Sequence, residues 1–221
     1  MAQGNPSKQP RAIIFDYGEV LCFPPTHEEI RRMAEIFGLG NGQFRPIYDK
    51  NRRIYDRGDL TAEEYWAAFA ADAGKKVTPE EVKKLRAWDT EMWSRTNPAM
   101  IEWLLALQNA GFKTAILSNM QEDMVNAARR QFAWIKKFDC AVFSHEMRLA
   151  KPEPEIYQHC LRGLGTQPHE TVFIDDRETN IKAARQLGIQ SIHLQSPAQL
   201  LTELKKLNFV ILPADAGVTK T

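Results

Sequence analysis

Five short apolar or β-branched runs punctuate the chain at residues 12–15 (AIIF), 113–117 (KTAIL), 141–143 (AVF), 171–174 (TVFI) and 191–194 (SIHL), each the length of a buried strand. Helical patterns fill the intervals at 98–110, 122–132, 154–164 and 180–187, and a last one follows at 197–207. Pro98, Pro154 and Pro197 open three of these helices, and Gly111, Gly165 and Gly188 follow three as C-terminal stops. Alternation of this kind predicts an α/β fold, a Rossmann-like doubly wound parallel sheet with helices on both faces.

One interval breaks the rule. Residues 23–95 carry no strand pattern and read as four helices near 27–37, 43–57, 61–73 and 79–93, with Asp59 or Thr61 and Thr78 as N-caps. This segment is expected to be an inserted helical-bundle cap. Its aromatics (Phe44, Tyr48, Tyr55, Tyr65, Trp66, Phe69, Trp88, Trp93) suit the core of a small domain. The run GLGNG at 38–42 lacks the order of a phosphate loop and reads as a helix-to-helix turn. The expected division is a core of 1–21 and 96–213, a cap of 22–95, and a flexible tail of 214–221.

Composition narrows the partners. The 221 residues balance 29 Lys and Arg against 28 Asp and Glu, so a net charge of +1 leaves no footprint for nucleic acid or an acidic membrane face. The first ten residues are polar, and no apolar run reaches the roughly 18 residues a membrane span needs, so a cytoplasmic protein is expected. Cys22, Cys140 and Cys160 are odd in number and widely spaced, which fits reduced core thiols better than disulfides or a zinc site. His145 and His159 have no paired ligand spacing and read as ordinary loop and helix histidines.

In an open parallel sheet the ligand crevice lies beyond the carboxyl ends of the strands. Here the first run ends in Asp16, the second in Ser118 and Asn119, and the fourth in Asp175 and Asp176, with Asn180 one helical turn on. Lys151 follows the third in AKPEPEIY, where Pro152 and Pro154 should hold the backbone extended before a helix starts. Three carboxylates, a hydroxyl, two amides and one ammonium at a single sheet edge are costly unless a cation or an anionic ligand compensates. Clustered carboxylates with an amide oxygen suit Mg²⁺, a lone Lys with Ser118 suits phosphoryl oxygens, and a carboxylate so placed can attack phosphorus.

These motifs, IIFDYGEVL (13–21), AILSN (115–119), AKPEPEIY (150–157) and VFIDDRETNIKAARQLGI (172–189), resemble in order and spacing those of the haloacid dehalogenase (HAD) superfamily of aspartate-nucleophile hydrolases. RGDLTAEEYW (57–66) is similar to a cap segment of the branch that includes bacterial α-D-glucose-1-phosphate phosphatases and the N-terminal phosphatase domain of soluble epoxide hydrolases. The resemblance implies Asp16 as nucleophile and metal ligand, and the Gly18 carbonyl as a second ligand. It implies Ser118 and Asn119 as phosphoryl-binding groups, and Lys151 as the cation that stabilises the phosphoryl charge and orients Asp16. Asp176 falls on the family's direct metal ligand, ahead of Asp175, and Asn180 falls on its distal acid or serves as a helix N-cap.

The departure from the family pattern is Gly18, which stands where most of its phosphatases carry a general acid; adjacent Glu19 would need a local twist to replace it. The implied function is a Mg²⁺-dependent phosphatase for a small phosphorylated metabolite, such as a sugar phosphate with a good leaving group. The alternatives are a non-catalytic binding or regulatory module on the same fold, and a metal-independent 2-haloacid dehalogenase. Specificity is expected from residues 22–25 and from cap residues such as Tyr48, Arg52 and Tyr55.

Overall fold

The computed structural model describes residues 10–214, so all but Ala214 of the expected tail lies outside the described residues. Five strands, β1 (Ala12–Phe15), β2 (Lys113–Ser118), β3 (Cys140–Phe143), β4 (Thr171–Asp175) and β5 (Gln190–His193), form one sheet in the order β3-β2-β1-β4-β5. Every neighbouring pair is parallel. The chain builds outward from β1 through β2 to β3, then returns to the other side of β1 for β4 and β5. The order therefore reverses at β1, and the crevice opens beyond its carboxyl end.

Among the described residues run α1 (His27–Phe37), α2 (Asn41–Lys50), α3 (Arg52–Arg57), α4 (Ala62–Asp72), α5 (Pro79–Met92), α6 (Pro98–Asn109), α7 (Glu122–Gln131), α8 (Ser144–Met147), α9 (Pro154–Leu164), α10 (Glu178–Gln186) and α11 (Pro197–Lys206). Strand side chains alternate between the two faces. Ile13 and Phe15 pack with Trp103 of α6, Val125 of α7 and Leu200 of α11, whereas Ala12 and Ile14 pack with Ile156 and Tyr157 of α9 and Ile181 of α10. Covered on both sides, the central strand is apolar throughout, which explains an unbroken AIIF.

Helices α1 to α5 bury a separate aromatic core. Phe37 meets Phe69 at a ring-centroid distance of 4.4 Å, and Tyr55 stacks on Tyr65 at 4.5 Å. Thr26, Thr61 and Thr78 start α1, α4 and α5, each in a reciprocal capping box with a Glu three residues on. Asp59 caps nothing and instead pairs with Arg57. The helix expected over 43–57 is two helices. Asn51, at φ −111° and ψ 7°, interrupts it, as suits a side chain that competes with the helical backbone. Two antiparallel connectors join this bundle to the sheet: Phe23 N–H donates to the Arg95 carbonyl (2.8 Å) and Asn97 N–H to that of Leu21 (2.9 Å). No helix among the described residues is long and apolar enough to cross a membrane.

Candidate active site

Asp16 is the first residue past β1, and its amide donates to the Ile174 carbonyl (2.9 Å), so the ladder with β4 fixes its backbone. Its Oδ1 accepts from the Tyr17 amide and lies 2.7 Å from Lys151 Nζ. The same ammonium lies 2.7 Å from Asp175 Oδ2, and only 1% of the Lys151 side chain is exposed. One cation thus bridges two buried carboxylates from adjacent strand ends. Asp175 is further held by the Arg177 amide (2.8 Å) and by Asn180 Nδ2, which donates to both of its oxygens. Asn180 lies inside α10, whose N-cap is Arg177, so it is not the helix cap.

The Asp176 carboxylate receives no hydrogen bond among the described residues, and oxygens of Asp16, Asp175 and Asp176 lie within 4.8 Å of one another. Burial raises Asp16 to about 8, Lys151 opposes the rise, and Asp175 and Asp176 reinforce it. Asp176 is raised to about 6 by burial and by Asp175 and Glu19. For Lys151 burial alone would lower the pKa, but Asp16 and Asp175 outweigh it and hold the ammonium charged. Three crowded carboxylates against one ammonium leave surplus negative charge, and hard oxygen donors of this kind fit a divalent cation such as Mg²⁺.

Ser118 closes β2, is buried and lines the crevice. Asn119 lines it too, but its carboxamide makes a reciprocal pair with the Lys151 main chain (2.9 and 2.8 Å). Its side chain fixes the lysine loop, and one N–H of the carboxamide remains for a ligand in the crevice. That loop is a turn and not the extended segment expected. Flanked by two prolines, Glu153 has the only N–H over 152–154, and it closes on the Ala150 carbonyl (2.8 Å). A Cβ on Gly18 would meet Trp93 at 3.7 Å, an ordinary contact, so the backbone does not dictate glycine there. Glu19 has φ 54°, the local twist that its exposure to the crevice requires, and it lines the crevice beside Gly18.

The crevice holds a cavity of about 180 Å³, walled on the sheet side by Asp16, Ser118, Lys151 and Asp176, and on the other by Arg45, Tyr48, Arg52, Asp56 and Trp93. Of the specificity residues expected, Tyr48 and Arg52 line it. Tyr55 lines a different cavity, and none of residues 22–25 lines this one because the chain there runs away as a connector paired with Thr96.

The far wall is itself an ionic network. Arg52 Nη1 donates to both oxygens of Asp89 (2.9 and 2.8 Å) and to the Tyr48 hydroxyl, and its Nε lies 2.8 Å from Asp56 Oδ1. Gln121 reaches Asp89 from the sheet side (3.3 Å). None of Asp56, Asp89, Gln121 or Trp93 belongs to the sheet-end motifs. Asp89 did leave a signal: Val82, Leu85, Asp89 and Met92 form the buried stripe of α5, with a carboxylate in an apolar register. Gly58, which ends α3 at φ 86°, is fixed by close approach, since a Cβ there would lie 2.7 Å from His145 Nδ1.

A family model for haloacid dehalogenase-like hydrolases matches residues 10–188. Among curated relatives, the chain is 28% identical to a phosphorylated carbohydrates phosphatase of Thermotoga maritima (82% of this chain, 83% of that protein). It is 29% identical to (S)-2-haloacid dehalogenase 4A of Burkholderia cepacia (83% and 82%). It is also 29% identical to bifunctional epoxide hydrolase 2 of Sus scrofa, but that match takes in 91% of this chain and only 39% of the longer protein. A solved HAD family enzyme of Bacteroides thetaiotaomicron, in complex with magnesium and inorganic phosphate, superposes with a TM-score of 0.67 at 25% identity (84% of this chain, 94% of that one). Near-equal identity to a phosphatase and to a dehalogenase leaves the choice of chemistry to the site.

Proposed function

Because the chain belongs to the haloacid dehalogenase-like hydrolases, we propose that it is a Mg²⁺-dependent phosphatase acting on a small phosphomonoester through Asp16. The observation that carries this reading is the set of three carboxylates gathered within 4.8 Å, of which Asp176 receives no hydrogen bond among the described residues. Asp16, Asp176 and the Gly18 carbonyl would hold the ion, with Asp175 and Asn180 fixing the cluster and Lys151 from behind. When bound, Mg²⁺ neutralises the carboxylates and the phosphoryl oxygens so that both occupy one crevice.

The protein's own groups do the rest. The Asp16 carboxylate attacks phosphorus, the bond to the leaving oxygen breaks, and water then cleaves the aspartyl phosphate to restore Asp16 and release inorganic phosphate. Lys151, pinned between Asp16 and Asp175, keeps the attacking oxygen oriented and faces the phosphoryl charge, and the Ser118 hydroxyl and loop amides donate to its oxygens. With no acid at position 18 good leaving groups are favoured, and Glu19, which lines the crevice beside it, is the carboxyl group placed to protonate poorer ones.

Attack of Asp16 on carbon, as in a 2-haloacid dehalogenase, makes no use of Asp176 or of the clustered charge. A purely binding role gives no reason to bury Asp16 against Lys151. The test is kcat/KM over phosphorylated metabolites, aryl phosphates and 2-haloacids, with and without Mg²⁺. Phosphate release that stops in chelator, returns with Mg²⁺ and falls as leaving-group basicity rises is expected. Halide release in chelator, or no turnover of any phosphomonoester, would overturn the proposal.

A further inference from the structure

The described residues include three free cysteines, and two of them meet. Cys140 is the first residue of β3, an edge strand of the sheet, and is only half-buried; Cys160 lies on α9 and is fully buried beside Ile156, Tyr157 and Leu164. Their thiols are in hydrogen-bond contact. Helix α9 makes room for that contact. Gly163 stands inside the helix, where glycine is weakening and no left-handed φ calls for it, but a Cβ there would overlap Cys140 Sγ.

The two thiols differ in their readiness to react. The hydrogen bond from Cys160 lowers Cys140 to about 7 against the effect of burial, whereas the same bond and burial raise Cys160. A sulfur within reach of solvent and with thiolate character therefore sits on a buried thiol that can follow it. Cys22 has neither property: it is buried in the core on the opposite face of the sheet, and burial raises it. The segment between Cys140 and Cys160 carries Ser144 and Lys151, so a bond between the two sulfurs joins both stems of the lysine loop.

We propose that Cys140 and Cys160 form a redox pair that a hydroperoxide converts reversibly to a disulfide, with Cys140 attacking and Cys160 resolving. The pair does not depend on the chemistry of the crevice. Cys140 Sγ attacks the terminal oxygen of the hydroperoxide, the O–O bond breaks, and the remainder leaves as alcohol or water with the proton that Cys140 gave up; Cys140 is then a sulfenic acid. Cys160 Sγ attacks that sulfur, the S–OH bond breaks, and the hydroxyl leaves as water with the Cys160 proton. Two thiols have passed two electrons and two protons to one peroxide, and a dithiol reductant returns them. The contact keeps the sulfenic acid short-lived and so spares Cys140 from irreversible oxidation.

The experiment treats the full chain with hydrogen peroxide, removes the peroxide, counts free thiols after denaturation in an alkylating agent, and maps unreduced peptides by mass spectrometry. Three thiols should fall to one, that of Cys22, with a linkage joining the Cys140 and Cys160 peptides within one chain, and dithiothreitol should restore all three. In Cys160→Ser the Cys140 sulfenic acid should persist and be trapped by dimedone, whereas in Cys140→Ser neither remaining thiol should oxidise at the same dose. Because the crosslink restricts residues 140–160 in the unfolded chain, the oxidised wild type should melt higher than the reduced, by up to about 10 °C. Three thiols retained, Cys22 oxidised first, a linkage between two chains, Cys140 driven to sulfinic acid while Cys160 stays free, or a linked form that melts below the reduced one overturns the proposal. The wild-type map decides the matter even if a variant fails to fold.

Discussion

Two buried ionic networks face each other across one cavity. At the sheet edge a single ammonium, Lys151, serves Asp16 and Asp175, while the Asp176 carboxylate receives no hydrogen bond among the described residues; on the helical side a single guanidinium, Arg52, is shared by Asp89 and Asp56. Both carry more carboxylate than cation. They differ in how the parts arrive. The first is assembled by strand ends, where ladder bonds fix the main chain before any side chain is placed, whereas the second hangs on helix faces packed by aromatic rings. The sheet-edge network is expected to be sensitive in chemistry and tolerant in folding, and the helical network the reverse.

The sharpest way to break this contrast is Asp16→Asn. Turnover should disappear, since an amide oxygen cannot replace the attacking carboxylate, while the fold remains intact and the metal-free Tm is no lower than that of wild type because one of three crowded carboxylates is gone. Assay and thermal melt in chelator measure both. Retained phosphate release, or an unfolded variant, would show that the two networks do not divide the labour this way.

The second prediction attacks the other side. Arg52→Ala leaves Asp89, which is fully buried, and Asp56 without their cation, and loss of one partner of a buried pair typically costs about 3–5 kcal/mol. Chemical denaturation should show a loss of that order, partly recovered when Asp89→Asn is added. A near-neutral Arg52→Ala would make the network dispensable to the fold.

The smallest effect is in pH. Asp16 is raised to about 8, and Asp56 and Asp176 to about 6, all by burial first; an unfolded Asp titrates near about 3.9. Between those limits the folded chain binds more protons than the unfolded one, so the stability of the metal-free protein is greatest at the acidic end of this window and falls as pH rises toward 8. Melts from pH 5 to 8 in chelator should show Tm declining, and Mg²⁺ should flatten the slope by relieving Asp16 and Asp176 but not Asp56. A Tm that climbs across the window contradicts the assigned direction.

Much of this was legible in the chain. Apolar runs of strand length, with Pro before and Gly after the intervening helices, are local signals, and local signals survive without the rest of the fold. So do the Thr-x-x-Glu boxes. The motif residues could be assigned to one sheet edge because parallel strands deliver their carboxyl ends to the same side. The break at Asn51 was less legible, since Tyr48 and Arg52 on either side of it keep helical spacing and the pattern runs straight through.

What the sequence determined by itself, then, is which backbone segments pair and which polar residues stand at their ends, because both follow from short-range periodicity. Only the tertiary structure decided who bonds to whom: that Asn119 holds the Lys151 main chain, that Asn180 serves Asp175, that Asp89 in an apolar stripe meets Arg52. It alone brought Ser144 to the Asp56 carbonyl, 88 residues away. Such pairings rest on close packing of elements distant in the chain, where shifts of an ångström make or break a hydrogen bond, and no local pattern carries that information.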